Sequence, residues 1–561
     1  MGLSLREALD QVTAPGEIFE VTTRERDGVT QRVFTHSPAT LRDIFDGARG
    51  VEQTFLVYEG EEWSFADVMR AADEFGDALV SHYGVRRGDR VAIAMRNLPE
   101  WIVAFAATIS IGAVVVSLNA WWTAAELAFA IDDSDACLVV ADVERSERLL
   151  DACRARATPV VIARGDETSV APDGARHWVD VVMKGATMPV VTIAGDDDAT
   201  ILYTSGTTGR PKGAVSTHDA ICQTLMAFST GLVVEGRRRG PRDHEPDDPT
   251  SFILIVPLFH VTGCVPVMLS CFTWHFKLVM MHHWEPGVAL ALVQKHRITN
   301  VVGVPTQSLD LLNCDDFALY DTSSLVTVGG GGAPAPPSLV RRVQESFVHA
   351  RPNLAFGMTE TNAYGPQNYG DDYQSHPSST GQTPTVVMDV EIRDPQGRVV
   401  AAGEVGEIWV SGPTLFRGYW NQPLATSEVL VDGWLRTGDV GYLDEEGFLY
   451  VEDRLKDMIL RGGTNVYSAE VEAALFEHPD VWEVAVCGLP DERLGEAVAA
   501  VVVVREGVTI SEAEMVAFAS SRLAHYKIPE RFAFTTDRLP VSATGKVSKS
   551  TLARHYFRTT S

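Results

Sequence analysis

The stretch Tyr203-Thr-Ser-Gly-Thr-Thr-Gly-Arg-Pro-Lys-Gly213 is rich in glycine and hydroxyl side chains and lies between two apolar runs. The segment 201–216 therefore predicts a strand, a loop and a second strand. Backbone N–H groups and hydroxyls of such a loop can bind phosphate oxygens, while Lys212 supplies a positive charge. Because Gly213 and a strand follow the lysine, this is not a Walker A loop. Composition alone leaves a flexible Ser/Gly linker equally open, although Pro211 and the flanking strands argue against one.

Around this loop, helical and extended segments alternate, which predicts parallel βαβ layers. The clearest helix covers 64–83, with Ser64 as its cap and Asp67 three residues later. Short apolar segments predict buried strands at 89–94, 137–141, 253–256, 301–304 and 325–328. Alternating apolar and polar residues predict a more antiparallel, barrel-like part at 387–393, 406–411 and 434–451.

The last hundred residues predict a compact α+β unit, with helices at 468–476 and 511–523 and strands at 481–489 and 498–504. The predicted fold class is α/β: a large N-terminal domain of layered βαβ subdomains plus a small β-barrel, followed by a small mobile α+β C-terminal domain. We place the domains at 1–453 and 457–561, with 454–456 as the hinge.

Composition narrows the function classes. The chain has 561 residues, too many for one core, and 47 basic against 75 acidic residues give a net charge of −28. This charge argues against nucleic acid and anionic lipid as partners. The basic run 237–239 is followed by acidic residues, so the insertion 235–250 is interpreted as a solvated surface loop.

The seven cysteines contain no CxxC pair, which matches neither a zinc site nor a disulfide framework and suits the reducing cytoplasm. The N-terminus lacks the pattern of a secretory signal. The uncharged stretch 101–125 is long enough to cross a bilayer. Gly112 divides it into a helical half, 100–111, and a β-branched half, 113–118, which favours a buried helix leading into a buried strand.

A second motif, Phe356-Gly-Met-Thr-Glu-Thr361, closes an extended segment. Its aromatic ring can stack on a purine, Thr359 can donate to phosphate, and Glu360 offers the oxygen ligand that Mg²⁺ prefers. Taken alone, a Thr-Glu pair at a helix start is more often a capping device.

Two further motifs lie downstream. In Gly433-Trp-Leu-Arg-Thr-Gly-Asp439, the aspartate can accept hydrogen bonds from ribose hydroxyls, and Arg454 can return to the same sugar after a hairpin. The alternative is a hairpin turn with a surface ion pair. The last motif, Val541-Ser-Ala-Thr-Gly-Lys546, taken alone is a solvated lysine on a glycine turn.

In this order and at these separations, the four motifs resemble the adenylate-forming superfamily of acyl-CoA synthetases, nonribosomal peptide adenylation domains and firefly-type luciferases, over residues 54–552. The resemblance implies that a carboxylate attacks the α-phosphorus of ATP to give an acyl-adenylate and pyrophosphate, after which a second nucleophile displaces AMP. It implies Lys546 as the catalytic residue and His260 as a residue that gates between the two half-reactions.

The resemblance also implies binding roles. Glu360 would bind Mg²⁺, Lys456 would be the hinge residue, and CoA would meet Arg461, Gly462 and Gly463. ATP would be bound by Thr204, Ser205, Gly206, Thr207, Thr208, Gly209, Lys212, Gly331, Ala333, Pro334, Phe356, Gly357, Met358, Thr359, Asp439 and Arg454. Many relatives have a tyrosine at the position of Phe356. The phenylalanine keeps the aromatic face for stacking and lacks the hydroxyl.

The acyl pocket would be lined, by motif position, by Val261, Cys264, Val304, Thr306, Gly329, Gly330 and Thr361. These residues include no aspartate for an amino group and no cation for a second carboxylate, so a hydrophobic monocarboxylic acid, fatty or aryl, is favoured. Coenzyme A is the favoured acceptor, since the chain has no carrier domain. The alternatives are a ligase that delivers to a carrier protein or an amine, a luciferase-like oxygenase and a non-catalytic binder. The partners would be small molecules, and the sequence leaves a homodimer open.

Overall fold

The computed structural model describes residues 3–26, 28–165, 168, 170–204, 211–239, 248–333, 335–383, 385–505, 507–540, 547 and 549–557.

One large sheet contains the two strands that flank the glycine-rich loop. From edge to edge its eight strands are Gly418–Tyr419, Lys212–Thr217, Asp198–Thr204, Val114–Ser117, Arg90–Ala94, Leu138–Asp142, Val160–Ala163 and Ala175–His177. All neighbours run parallel except at Lys212–Thr217, which is antiparallel to both of its neighbours. The two predicted strands are confirmed, with Tyr203 opposite Gly213, and residues 205–210 between them lie outside the described chain.

A second eight-stranded sheet carries the other short apolar segments. Its strands in order are Gln367–Tyr369, Arg351–Ala355, Thr327–Gly331, Asn300–Gly303, Ser251–Leu254, Lys277–Met280, Thr54–Tyr58 and Glu61–Ser64. Only the outermost pairing at each edge is antiparallel. The central strands are therefore parallel, as the βαβ alternation predicts.

The uncharged stretch 101–125 is part of the protein core. The helix Pro99–Ser110 shares one hydrophobic core with strands of both sheets, and Trp101 stacks on Phe105 with ring centroids 5.3 Å apart. Gly112 ends the helix with φ +75°, and the strand Val114–Ser117 follows. In the described part of the chain, every helix is too short or too polar to cross a membrane.

The predicted helix at 64–83 is observed as Phe65–Ser81, capped reciprocally by Ser64 and Asp67. The other α-helices before residue 455 are Leu5–Val12, Leu41–Ala48, Ala124–Ser134, Val143–Arg156, Trp178–Val181, His218–Arg239, Ser270–Trp274, Pro286–His296, Pro305–Leu312, Pro337–Ser346, Gly370–Ser375 and Pro423–Val429. A π-helix covers Gly263–Leu269, and 3₁₀ turns cover Phe317–Leu319 and Thr359–Thr361.

The barrel-like part is a six-stranded antiparallel sheet of Gly381–Gln382, Phe448–Arg454, Trp434–Leu443, Gly406–Ser411 and Asp389–Arg393, with Leu430–Val431 beside Trp434–Leu443. Near the N-terminus, Val21–Arg26 and Val29–Phe34 form a hairpin. The last sheet contains Thr464–Val466, Ile459–Arg461, Gly495–Val504, Val481–Asp491 and Arg531–Thr535. The helices Ser468–Phe476, Glu512–Ser520 and Lys549–Phe557 and the 3₁₀ turn His525–Lys527 complete this α+β unit.

One prediction needs correction. The helix His218–Arg239 extends into the segment 235–250, which was expected to be a surface loop throughout. Arg238, from the basic run, pairs with Asp372 at 2.6 Å, so its charge is neutralised by a neighbouring element. Residues 240–247 lie outside the described chain.

Candidate active site

A cavity of about 610 Å³ opens where the carboxyl ends of the parallel strands meet the strands that flank the glycine-rich loop. Ligands of α/β proteins commonly bind at this position. The cavity brings together twelve of the predicted site residues: Thr204, Lys212, His260, Val261, Gly330, Gly331, Gly357, Met358, Thr359, Glu360, Arg454 and Lys456.

The two ends of the glycine-rich loop are held by the sheet. Thr204 lies directly opposite Lys212, and the hydroxyl of Tyr203 donates to Asp133 Oδ2 at 2.7 Å. Burial raises the pKa of Tyr203, and its bond to Asp133 acts in the same direction. The loop residues Ser205, Gly206, Thr207, Thr208 and Gly209 lie outside the described chain.

The strand Thr327–Gly331 ends in glycines because neighbouring backbone leaves no room for a side chain. A Cβ at Gly330 would lie 1.9 Å from the carbonyl oxygen of Gly303, and one at Gly331 would lie 2.5 Å from that of Ala355. The result is a flat backbone surface that a planar ring can approach. Ala333 follows this surface without lining the cavity in the described structure, and Pro334 is not described.

The Phe356 motif presents its carboxylate to the cavity. Thr359 and Glu360 lie on the 3₁₀ turn Thr359–Thr361, and Oε1 of Glu360 accepts a 2.7 Å hydrogen bond from the hydroxyl of Tyr419. Burial raises the pKa of Tyr419, with the Glu360 charge as a further cause. Phe356 itself is 7 % exposed and belongs to a hydrophobic core that also contains Tyr364. It is not among the described residues that line the cavity.

Asp439 and Arg454 face each other across the hairpin of the barrel-like sheet. They are paired in the strand register, and the Nε of Arg454 lies 3.2 Å from Oδ1 of Asp439. Asp439 is buried and Arg454 is exposed at the cavity rim. Leu455 then donates to the carbonyl of Gly438 at 2.9 Å, which ties the residues before Lys456 to the same turn.

His260 lies on the cavity wall just before the π-helix Gly263–Leu269. Its Nδ1 accepts a 3.3 Å hydrogen bond from the backbone of Thr262, which orients the ring. Gly263 is required here, since a Cβ would lie 2.3 Å from the carbonyl oxygen of Pro257.

Other predicted residues lie elsewhere. The Arg461 guanidinium bonds to Glu530 and to the carbonyl of Tyr526, and the turn Gly462–Gly463 is not among the described residues that line the cavity. Five residues of the predicted acyl pocket are also not among the described residues that line the cavity: Cys264, Val304, Thr306, Gly329 and Thr361. The first and the last of these are fully buried. Lys546 lies outside the described chain.

Sequence reasoning missed much of the cavity wall. Apolar and aromatic side chains come from Phe228, Leu232, Phe252, Phe259, Trp274, Phe276 and Val302. Polar side chains come from Asn300, Thr327, Asn353, Gln367 and Tyr369. Alternation along the strands could have paired Asn300 with Val302 on one face, but only the strand order shows that this face meets the cavity.

The carboxylate of Glu360 fits a magnesium ion. Within the described residues, no group of three or more Asp, Glu, His or Cys side chains is placed to hold a metal. Mg²⁺ in nucleotide sites needs only one or two carboxylates, because phosphate oxygens and water complete its shell. Glu360 therefore suits an ion delivered together with ATP.

Comparisons with known proteins agree with this geometry. The profile of the AMP-binding enzyme family matches residues 46–420, and that of the AMP-binding enzyme C-terminal domain matches residues 470–546. Long-chain-fatty-acid--CoA ligase FadD13 of Mycobacterium tuberculosis is 32% identical over 507 residues, covering 88% of this chain and 93% of the relative. Feruloyl-CoA synthase of Amycolatopsis is 35% identical over 511 residues, covering 90% and 96%.

Solved structures show the same likeness. The amide bond synthetase McbA of Marinactinospora thermotolerans has a TM-score of 0.79 and 28% identity, covering 91% of this chain and 98% of that one. The o-succinylbenzoate CoA synthetase of Bacillus subtilis, in complex with its acyl-adenylate, has a TM-score of 0.77 and 27% identity, covering 92% and 98%. Together with the cavity, these matches show that the chain belongs to the adenylate-forming superfamily of AMP-binding enzymes, within its acyl-CoA synthetases.

Proposed function

We propose that this chain activates a fatty or aryl monocarboxylic acid with ATP and then transfers the acyl group to coenzyme A. The observation that carries the proposal is one shared cavity. Thr204 and Lys212 from the first sheet, Glu360 from the 3₁₀ turn after the strand Arg351–Ala355, and Arg454 from the barrel-like sheet all line it. This arrangement supports a nucleotide with its phosphates at Lys212 and its ribose at Arg454.

In the first half-reaction, a carboxylate oxygen of the acid bonds to the α-phosphorus, and the bond from that phosphorus to the pyrophosphate oxygen breaks. No proton needs to move, so the protein's task is to neutralise charge on the phosphoryl group. We assign Lys212 and residues 204–209 to the β- and γ-phosphates, Thr359 to the α-phosphate, and Lys546 to the bridge between the carboxylate and the α-phosphate. Glu360 would hold Mg²⁺, which supplies further positive charge when bound.

The nucleoside is assigned to two surfaces. Asp439 and Arg454, 3.2 Å apart, would bind the ribose hydroxyls. The glycine surface at Gly331, with Ala333 and Pro334, would lie against the adenine. To stack on that ring, the Phe356 side chain would turn from its hydrophobic core toward the cavity when the nucleotide binds.

In the second half-reaction, the CoA sulfur attacks the acyl carbonyl carbon and AMP leaves. We propose that 1–453 and 457–561 act as separate domains about the hinge 454–456, so that rotation at Lys456 removes Lys546 and brings the turn at Gly462 and Gly463 to the cavity. His260, on the cavity wall, would gate between the two steps. For Arg461 to contact CoA, its bonds to Glu530 and Tyr526 would have to be exchanged.

The residues assigned to the proposed reaction all belong to this chain, and its proposed partners are the acid, ATP and CoA. The seven free cysteines support the cytoplasm as its compartment.

The test is incubation with ATP, Mg²⁺ and a panel of carboxylic acids, with CoA, with a simple amine or with neither, followed by mass spectrometry of the products. We expect acyl-adenylate without an acceptor and acyl-CoA with CoA. An adenylate that persists with CoA and is consumed by the amine would instead favour an amide synthetase, the activity named for one structural neighbour. Lys546→Ala should abolish adenylate formation, whereas Lys184→Ala, at an exposed position, should not.

A further inference from the structure

One wall of the cavity carries a strip of polar side chains, which we call the distal polar strip: Asn300, Thr327, Asn353 and Tyr369. The four residues lie on adjacent strands of the second sheet. Asn300 is opposite Thr327, and Asn353 is opposite Tyr369. The hydroxyls of Thr327 and Tyr369 are hydrogen-bonded to each other, so the strip is continuous across the strands.

The strip lies away from the nucleotide end of the cavity. Thr327 is the first residue of its strand and Gly331 is the last. At the rise of a β-strand, the four intervening steps correspond to about 13 Å. Asn300 is level with Thr327 at the far end, while Asn353 and Tyr369 lie between that level and Gly331. A group bound at the far end would therefore be remote from the reacting carboxylate.

Apolar side chains line the cavity beside this strip, and one of them, Phe252, is paired with Asn300 on the same sheet. Phe228 and Leu232 lie one helical turn apart on His218–Arg239, and the rings of Phe252 and Phe276 stack with centroids 6.0 Å apart. Trp274 lines the cavity with its indole N–H bonded to Ser229 Oγ at 2.5 Å. An acid in this cavity would therefore meet mostly hydrocarbon, with the distal polar strip as a local group of polar side chains.

The hydrogen bonds of Asn300 hold its amide nitrogen beside Thr299 and Ser251 and leave its Oδ1 for a ligand. Its Nδ2 donates to Thr299 Oγ1 at 2.8 Å and to the carbonyl of Ser251 at 3.3 Å, which sets the orientation of the amide. Among the described residues, Asn300 Oδ1 has no hydrogen-bond partner, and neither has Asn353 Oδ1. Each is an acceptor on a side chain that lines the cavity.

We propose that the acid carries a hydroxyl group remote from its carboxylate, on an otherwise hydrophobic body, and that Asn300 and Asn353 accept its hydrogen bond. The proposal rests on the acyl-CoA synthetase function proposed above and narrows its substrate. A purely hydrocarbon acid would cover these amide oxygens without giving them a donor, and a site built to bind a hydroxyl discriminates strongly against an analogue that lacks it.

The experiment measures kcat/KM for pyrophosphate release with matched acid pairs, such as 10-hydroxydecanoic and decanoic acids, and 3-(4-hydroxyphenyl)propanoic and 3-phenylpropanoic acids. In at least one pair we expect the hydroxylated acid to be preferred by about 10-fold or more. Asn300→Leu, close in size but apolar, should lower kcat/KM for the hydroxylated acid and raise it for the other, so that the preference falls toward 1.

Asn353→Leu should change the preference in the same direction, which keeps the test informative if Asn300→Leu does not fold. Gln344→Leu is the matched control, since Gln344 is exposed on the helix Pro337–Ser346, and it should keep the parental preference. Turnover of both members of every pair at equal kcat/KM would overturn the hydroxyl proposal and leave the proposed function standing. If no acid releases pyrophosphate, both proposals are wrong.

Discussion

Tyr419 and Glu360 are joined by a 2.7 Å hydrogen bond from the phenol hydroxyl to Oε1 of the carboxylate. The same ring lies 5.0 Å from the ammonium of Lys212, so one side chain contacts both the proposed metal ligand and the proposed phosphate-binding lysine. Tyr419 is placed there by the short strand Gly418–Tyr419, which pairs with the strand that starts at Lys212.

Removing this hydroxyl tests whether it orients the metal ligand. Tyr419→Phe keeps the ring over Lys212 but leaves the Glu360 carboxylate free to rotate. Groups that orient a ligating carboxylate typically contribute a factor of 10 to 100 in metal affinity, so we expect the Mg²⁺ concentration for half-maximal adenylation to rise about 10-fold. Pyrophosphate release at varied Mg²⁺ measures this. Tyr442→Phe, in a stacked pair with Tyr450 in the barrel-like sheet, should leave the value unchanged.

The contact of Tyr419 with Glu360 could not be predicted from the sequence. Asp439 and Arg454 could be paired from the sequence because a hairpin links them, and the structure confirms that they lie opposite each other. Likewise, the cap formed by Ser64 and Asp67 depends on neighbouring residues alone. The contact between Tyr419 and Glu360 depends instead on a strand pairing between distant segments.

Of the residues predicted for the acyl pocket, Val261 and Gly330 line the cavity, and others do not. Cys264 and Thr361 are close in sequence to motif residues, yet both are fully buried. Asn300 and Thr327 occupy strand starts that no motif marks, and they reach the cavity because their strands are neighbours. Strand order defines this wall, and it is not written in local sequence patterns.

Gly330 has no room for a side chain, which predicts the effect of replacing it with alanine. A Cβ at Gly330 would lie 1.9 Å from the Gly303 carbonyl oxygen, and the backbone there has φ +147°. Gly330→Ala must therefore move a buried strand, and we expect loss of adenylation together with a lower thermal unfolding temperature. Gly47→Ala is the control, because no atom lies within 4 Å of its Cβ position. Equal activity of the two variants would show that the strand can yield at Gly330.

His218 gives a pH prediction. It is fully buried, its Nδ1 accepts a 3.2 Å hydrogen bond from the backbone of Leu41, and burial lowers its pKa from 6.5 to about 4. Between these values the unfolded chain binds a proton that the folded chain does not, so folding stability must fall as pH decreases from 6.5 toward 4. At pH 5 this amounts to about 2 kcal/mol.

His218→Gln can keep an acceptor for Leu41 but does not titrate. The variant should therefore lose less thermal stability than the parent between pH 7.5 and pH 5, as measured by the unfolding temperature at each pH. A parallel decrease in both proteins would mean that other groups, chiefly carboxylates, account for the acid sensitivity.

Lys549 begins the last helix, Lys549–Phe557, three residues after Lys546 in the sequence. Its ammonium lies 3.0 Å from Oε1 of Glu472 and bonds to Ser468 Oγ. Ser468 in turn donates from its backbone N to Asp453 Oδ2 at 2.6 Å, directly before Arg454. Lys549→Met would leave the Glu472 carboxylate largely buried without its cation, which should destabilise the C-terminal unit by about 2 kcal/mol.

Because Lys549 is only three residues after Lys546, we also expect adenylation to slow in Lys549→Met. Adding Glu472→Gln removes the unpaired charge and should restore most of the stability, since replacing both partners of an ion pair costs less than removing one. It should not restore the rate, because the link to Ser468 is still missing. Limited proteolysis and pyrophosphate release measure the two effects separately, with Lys184→Met as the exposed control. If the double variant recovers rate and stability together, the link through Ser468 does not position Lys546, and the ion pair serves folding alone.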